Sequence, residues 1–452
     1  MGVTFRGGTH PKGCKSLSCN EPLRRFETKG EIVLPLVHGI GRPAKPVVKK
    51  GDPVLVGQII AEAEGFVSAN VACSCSGTVK AVEKRRTISG ALLECVVVDN
   101  DGLYTKAEGI GVKQDISSIS GEEIIERVKH AGIIGLGGAG FPTHIKLAPK
   151  DPSAIKYVIV NGAECEPYIT CNDQLMQSES EGILRGLEII LKLFPNAEGV
   201  VVIEDNKPKA IEAMRKALSA RGSEGRMRIQ PAVTKYPQGG ERSLIQAIAG
   251  MDYPVAKLPA DAGCVVQNVG TVYAIWRAVE YNETLYSHVL TVTGDAVSKP
   301  ANFFVPDGTL VSELIEACGG IKEGVELKKA ISGGPMMGFA MSSIDVPVVK
   351  TTNAITLLPE DPVEKAEAQM TNCLHCGRCS TVCPQGLVPQ LMADAIATGD
   401  LERYEKKLYG LECISCGSCT FVCPAKRPLT QMFKMKKTEI LAAKRAQAGG
   451  GK

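Results

Sequence analysis

CLHCGRCSTVCP begins at Cys373, and CISCGSCTFVCP begins at Cys413, 40 residues further on. Each run sets four cysteines in steps of three, three and four, and each closes on a proline, Pro384 or Pro424. Three thiolates two residues apart can wrap one inorganic cube corner by corner. The fourth, set off by a helix-like stretch and turned by proline, reaches the neighbouring cube. The pattern predicts two [4Fe-4S] clusters, one on Cys373, Cys376, Cys379 and Cys423, the other on Cys413, Cys416, Cys419 and Cys383. Gly377, Ser380, Gly417 and Ser418 are small enough for the backbone to approach a cubane closely. Four thiolates also suit a structural zinc ion, an alternative that metal analysis separates. His375 reads as a surface residue, with a ligand or potential-tuning role as the other reading.

The chain has 452 residues, more than one core holds, so two to four domains are expected. Its 52 basic and 49 acidic residues nearly balance, at a formal charge of +3, which argues against a nucleic-acid partner. Of 17 cysteines, eight sit in the two runs and nine are scattered. With no apolar leader at the start, this reads as a reducing, cytoplasmic compartment. No stretch approaches 18 apolar residues, so no membrane span is expected. From Lys426 to Lys452 there are eight Lys or Arg and one acid, Glu439. That end is either a solvated tail or helix, or it docks on an acidic partner or an anionic membrane surface.

Residues 1–30 read as irregular. Over 31–110, short β-like runs such as EIVLPLV, PVLVGQIIAEA, GTVKAV and ALLECVVV are separated by Gly and Pro, the pattern of a small barrel or sandwich. GEEIIERVKHAG reads as a helix, IKYVIVNGAE as a strand, SEGILRGLEIILKLF as a helix, GVVVIEDN as a strand and KPKAIEAMRKAL as a helix. This alternation predicts a layered α/β domain over 111–285. HVLTVTGDAV followed by PDGTLVSELIEACGG predicts a small α+β module over 286–345. The cysteine runs occupy 363–435, with VPQLMADAIATGDLERYEKK helical between them, and a basic tail covers 436–452.

A cubane passes single electrons, whereas many biological donors supply two. A pair-splitting group is therefore expected, unless the protein only relays single electrons. GIIGLGGAGFPTHIK, at 132–146, holds Gly135 to Gly140 in G-x-G-x-x-G spacing. A dinucleotide fingerprint should follow a strand and open a helix. Here an amphipathic helix precedes it and Pro142 follows, so an ordinary Rossmann reading is rejected. The glycines still let the backbone approach a flat or phosphorylated ligand, and Lys146 can meet a phosphate. The plainer reading is a packing loop. NGAECEPYIT, at 161–170, places Glu164 and Glu166 at the carboxyl end of a strand, where open α/β sheets build their sites. Asn161 there can hydrogen-bond a ring; an acidic surface turn is the alternative. YPQGGE, at 236–241, and QNVGT, at 267–271, add two more polar turns.

These segments together resemble the RnfC family, the peripheral subunit of the Rnf electron-transport complex, over nearly the whole chain. The middle also resembles the flavin- and NADH-binding subunit of respiratory complex I. GLGGAGFPTHIK is the shared motif, with Leu136 where the complex I relative has arginine. The resemblance implies that Gly135, Gly137, Gly138 and Lys146 line FMN. It implies that Asn161 and Glu164 bind the ring or ribityl side, and that Glu166 approaches the nicotinamide as the catalytic residue. Tyr236, Gly239, Gly240 and Glu241 match a second flavin segment, and Gln267, Asn268 and Thr271 match a phosphate-side turn. Gln267 stands where the relative has asparagine. The N-terminus reads GGTHPKGCK where the family commonly reads GG-x-HPP-x-K, adding Cys14 and Cys19. With His10 these could hold a metal, or they are buried or incidental thiols.

The implied fold is multidomain α/β: an N-terminal barrel-sandwich hybrid serving as scaffold, a central Rossmann-like FMN- and NADH-binding domain, a β-grasp SLBB domain, and a C-terminal helical ferredoxin-like domain with two clusters. The implied activity is NADH oxidation through FMN, with single electrons passed through the clusters to partner subunits, an iron–sulfur subunit above all. Ferredoxin would be the ultimate partner and the complex a translocase of Na⁺ or H⁺. The protein would sit peripherally on the cytoplasmic face of the membrane. Two rivals are a soluble electron-transfer adaptor for a different reductase and a nonenzymatic iron–sulfur relay or scaffold.

Overall fold

The computed structural model describes residues 2–222 and 225–449. The N-terminal segment runs over the other domains and lends one of them a strand, β1 (Leu23–Arg25). Then come β2 (Ile32–Pro35), β3 (Lys45–Pro46), β4 (Pro53–Val54), β5 (Ile59–Glu62), β6 (Val71–Ala72), β7 (Gly77–Arg86) and β8 (Leu92–Asn100). They form a four-stranded sheet in the order β2-β8-β7-β4 and a three-stranded sheet in the order β3-β5-β6. Ile32, Leu34, Ile60, Val71, Val96 and Val98 fill the space between them. Cys95 and Val97, on the opposite face of β8, are buried with Val33. This is why β8 reads as a continuous apolar run without alternation.

The central domain opens with α1 (Gly121–His130), capped by Ser120, whose hydroxyl accepts from the Glu123 N–H. The glycine-rich loop leads into α2 (Thr143–Lys146). The rest alternates: β9 (Tyr157–Gly162), α3 (Cys171–Ser178), α4 (Ser180–Leu191), β10 (Glu198–Glu204), α5 (Pro208–Arg221), β11 (Met227–Ala232), α6 (Glu241–Ala249), β12 (Cys264–Asn268) and α7 (Val269–Tyr281). The sheet is parallel throughout, in the order β11-β10-β9-β12. Val158, Val160, Val201 and Ile203 face the core shared with α1, α4, α5 and α7. Ile159, Val200, Val202 and Val266 face Leu244 and Ile245 of α6. With both faces covered, all four strand ends are free to present loops at one edge.

Next come β13 (Ser287–Thr293), β14 (Ala301–Pro306), α8 (Val311–Ala317), β15 (Lys329–Ser332), β16 (Phe339–Ala340) and β17 (Ala354–Leu358). They build a six-stranded sheet in the order β1-β14-β13-β17-β15-β16. This sheet takes in β1 from the N-terminal segment and β17 from beyond residue 345, so it reaches outside 286–345 at both ends.

The cysteine runs lie among α9 (Pro362–Ala368), α10 (Arg378–Thr381), α11 (Pro389–Ala397), α12 (Ser418–Phe421) and α13 (Leu429–Gly449). The spacer is not one helix. It breaks at Gly399, φ +74°, and resumes as a wide turn over Arg403–Lys407. The repeat is conformational as well as chemical. His375 and Ser415 have φ of 51° and 55°, Gly377 and Gly417 75° and 85°, Gly386 and Lys426 66° and 53°. Among the described residues, no helix is long and apolar enough to cross a membrane.

Candidate electron-transfer site

Four loops meet at the carboxyl ends of β9 and β12, where Asn161 and Asn268 lie side by side in register. Asn161 Nδ2 donates to the Gly239 carbonyl at 2.9 Å. Asn268 caps α7, its Oδ1 accepting from the Gly270 N–H at 2.7 Å. The Leu136 N–H donates to Thr271 Oγ1 at 2.9 Å, which pins the glycine-rich loop to α7. The loop closes through the Gly135 N–H on the Phe141 carbonyl, 2.9 Å. At its tip Gly137 has φ +68°, and a Cβ added at Gly138 would meet nothing within 4 Å. The tip is thus bare backbone facing open space, suited to a flat ligand.

Lys146 Nζ donates to Glu241 Oε2 at 2.8 Å and to the Val266 carbonyl at 3.5 Å. Gly240 and Asn268 stand at the N-termini of α6 and α7, which favour an anion. Gln267 Nε2 and both amide atoms of Gln238 are buried with no hydrogen-bond partner among the described residues. Gln267 lies next to Asn268 at the end of β12 and Gln238 in the turn held by Asn161, and unpaired buried amides in those turns are what an FMN head or phosphate would satisfy. The residues present fit the group.

The two carboxylates are not equivalent. Glu164 has φ +50°, and its carboxylate turns onto the start of α3, accepting from the N–H of Asn172 at 2.7 Å and of Asp173 at 3.4 Å. Glu166 accepts from the N–H of Met336 at 3.1 Å and Met337 at 2.8 Å, in the turn between β15 and β16. Burial pushes both carboxyls up to about 7. Lys15 and Lys207 oppose the shift at Glu164, the two amides oppose it at Glu166.

Several participants escape a sequence reading. Lys15 Nζ donates to the carbonyls of Glu164, Glu166 and Ile169 at 2.8, 3.0 and 2.6 Å, closing the acidic loop from below. Lys207, itself buried, bonds Glu204 Oε2 at 3.3 Å and Asn206 Oδ1 at 2.9 Å. Cys165 Sγ accepts from the Gly239 N–H at 3.3 Å. The glycine-rich turn GGPMMG at 333–338 was the one visible signal for the Met336 contact.

The eight cysteines of the runs divide between two cavities. Cys373, Cys376, Cys379 and Cys423 line one of about 190 Å³. Cys383, Cys413, Cys416 and Cys419 line the other. The fourth cysteine of each run is therefore exchanged between the sites. None of the 17 cysteines is joined in a disulfide. No three His, Cys, Asp or Glu side chains among the described residues are poised around one metal ion. The quartets ring a space, as a multi-iron cluster needs, and the donor set is its usual one.

The surroundings repeat too. The N–H groups of His375 and Ser415 point at Cys373 Sγ and Cys413 Sγ, each at 3.4 Å, and that of Leu387 at Cys383 Sγ, 3.4 Å. Such donors stabilise thiolate charge and tune a cluster's potential. The sites differ in access: Cys376 is exposed and Cys416 buried.

The second quartet abuts the central domain. Tyr236 Oη donates to the Cys416 carbonyl at 2.6 Å. A Cβ on Gly417 would lie 2.9 Å from the Met336 carbonyl, and Met336 also holds Glu166 through its N–H. The flavin-type loops and the quartet that holds buried Cys416, hereafter the buried quartet, are therefore in direct contact.

A nucleotide-type loop cluster joined to two four-thiol sites defines an electron-transfer protein of the flavin and iron–sulfur class. The chain belongs to the RnfC family, the C component of ion-translocating oxidoreductase complexes. Residues 3–103 match the RnfC barrel sandwich hybrid domain, 128–277 the Nuo51 FMN-binding domain, 289–340 the SLBB domain and 365–424 the 4Fe-4S dicluster domain.

The chain is 42% identical over 441 residues to the C component of the proton-translocating ferredoxin:NAD(+) oxidoreductase complex of Clostridium ljungdahlii, covering 97% of this chain and 94% of that one. It is 42% identical over 442 residues to the C component of the Na(+)-translocating ferredoxin:NAD(+) oxidoreductase complex of Acetobacterium woodii, covering 98% of each. Among solved structures it is similar to an NAD+-reducing [NiFe]-hydrogenase in the H2-reduced state, at 20% identity and a TM-score of 0.48, over 73% of this chain and 67% of that one. That last likeness is too loose to bear on function.

Proposed function

We propose that the protein oxidises NADH at the loops around Asn161 and passes electrons singly through the two cysteine quartets to the other members of a membrane-bound ferredoxin:NAD⁺ oxidoreductase that moves Na⁺ or H⁺. FMN, when bound, takes a hydride and releases the pair one electron at a time, and [4Fe-4S] clusters accept single electrons. The chain's own residues hold and orient. Gly135, Gly137 and Gly138 admit the flavin ring, and Lys146 with the starts of α6 and α7 holds its phosphate. Asn161, Tyr236, Gly239, Gly240, Gln267, Asn268 and Thr271 complete the cradle. Glu166, held by the Met336 and Met337 amides, orients the nicotinamide. Glu164 shapes the acidic loop through α3.

The order of transfer follows from access. With clusters bound, the quartet that holds buried Cys416 would receive electrons first, and the quartet with exposed Cys376 would deliver them. An iron–sulfur subunit docks there, ferredoxin is the ultimate partner, and the protein sits peripherally on the cytoplasmic face of the membrane through its partners. The observation that carries this reading is the Tyr236 to Cys416 contact, which joins the flavin-type cradle to the buried quartet.

Iron, acid-labile sulfide, zinc and flavin assays on anaerobically purified full-length protein test it. The expected result is eight irons, from two four-iron clusters, and about one FMN per chain. Zinc in place of iron would refute it.

A further inference from the structure

The segment GVTFRGGTHPKGCK, at 2–15, runs as irregular chain up to the short 3-10 turn that opens at Lys15, and of its residues only Lys15 has entered the site described above. It touches the end of β11, the Tyr236 turn, the chain beside Cys383 and the acidic loop. The Val3 N–H donates to the Pro231 carbonyl at 3.1 Å, and the Val3 carbonyl accepts from Val233 at 2.9 Å. Thr9 and Tyr236 exchange both backbone bonds, 2.8 Å each way. The Gly8 N–H donates to the Val382 carbonyl, beside Cys383, at 2.8 Å. Lys15 then closes the 164–169 loop through its three carbonyl bonds. Burial lowers the affinity of that ammonium for its proton, with the Lys207 charge adding to the effect.

Both glycines are required where they stand. Gly7 has φ +73°, and a Cβ there would lie 2.7 Å from the Cys383 carbonyl oxygen. Gly8 has φ +86°, and a Cβ there would lie 2.8 Å from the Tyr236 carbonyl oxygen. A side chain at Gly7 must displace the splint from the chain at Cys383, and one at Gly8 must displace it from the Tyr236 turn. Gly13, in the same segment, has only a flexible lysine side chain at 4.0 Å.

We infer that residues 3–15 are a splint that sets the spacing between the flavin cradle and the buried cysteine quartet, with Gly7 and Gly8 as its positioning residues. The splint ties Tyr236, through Thr9, and the chain at Cys383, through Gly8, to one short stretch, so a shift of either is passed to the other. The inference rests on the proposed electron path and adds to it the part that holds the two redox centres in register.

The test compares Gly7→Ala with Gly13→Ala in the full, cofactor-loaded protein. In Gly7→Ala, iron and FMN content should stay at the wild-type level, and NADH should bleach the flavin at the wild-type rate. The fast phase of cluster reduction should be lost, and the electron-spin-resonance signal of one dithionite-reduced cluster should shift its g values. Gly13→Ala should match the wild type in all five readouts. A wild-type spectrum and fast phase in Gly7→Ala would overturn the inference. So would joint loss of iron and flavin, which marks a merely structural segment.

Hydrogen exchange on the unmutated protein gives a second measurement. The Gly8 and Thr9 amides should be protected together with that of Tyr236, and free exchange at Gly8 and Thr9 would overturn the splint. If the wild-type flavin fails to bleach with NADH, the proposed function fails. The g shift and the exchange pattern, both read without NADH, then still decide the splint.

Discussion

Tyr236 Oη donates to the carbonyl of Cys416 across 2.6 Å, and both residues are buried. A residue of the proposed flavin cradle thus holds the backbone of a proposed cluster ligand with no third group between them. Tyr236→Phe keeps the ring and removes the bond. The expected cost is about 1 kcal/mol of stability, since the carbonyl loses a buried partner. Iron content should be retained and cluster reduction by NADH slowed. Unchanged kinetics would leave the hydroxyl with a packing role only.

Lys146 pairs with Glu241 at 2.8 Å, and both side chains are about a third exposed. Such a pair contributes at most about 1 kcal/mol to folding. Lys146→Ala should therefore barely move the melting temperature while FMN is lost on gel filtration. Flavin retained at the wild-type level would rule out the phosphate role.

Glu166 titrates at about 7 in the folded chain against an ordinary 4.5, because burial outweighs its two amide bonds. Between those values the unfolded chain has released a proton that the folded chain keeps. Stability therefore falls as pH rises through this window. Glu166→Gln should flatten the fall without abolishing it, since Glu164 is raised in the same way. Melting temperatures of both proteins across the window measure this. The same variant should slow NADH oxidation while iron content is unchanged, and should lose its share of any inflection near neutral pH in the rate of flavin bleaching. A variant with the wild-type rate and profile would remove Glu166 from the nicotinamide site.

The two quartets should differ in lability. Cys376 is exposed at the first site, whereas Cys416 is buried at the second. Oxidant or chelator should remove the iron of the Cys373, Cys376, Cys379 and Cys423 site first. Spin-resonance spectra taken during the titration should show one signal lost while the other persists. Simultaneous loss would contradict the order of access.

Local chemistry made much of this legible in advance. The 3-3-4 cysteine steps predict which thiols share a site, because a fixed spacing and a terminal proline constrain the chain within a few residues. The strand and helix alternation of 111–285 follows from hydrophobic period. What stayed hidden depends on contacts between distant residues. Nothing near Leu23 shows that β1 pairs with β14, since the register Leu23 to Asn302 is made by the fold. Glu164 and Glu166 both follow a strand, and their spacing alone does not show where either carboxylate turns. Only the left-handed turn at Glu164 sends one carboxylate to α3 and leaves the other to Met336. Lys15 looked like part of an irregular leader because its three acceptors lie about 150 residues away.

The central claim is that the cradle around Asn161 and the quartet around Cys416 form one conducting unit fed by NADH. Anaerobic stopped-flow mixing of the cofactor-loaded protein with NADH, followed at flavin and iron–sulfur wavelengths and freeze-quenched for spin resonance, tests it most directly. Flavin bleaching followed by reduction of both clusters is predicted. Bleaching that leaves both clusters oxidised, or no bleaching with FMN in place, would contradict it.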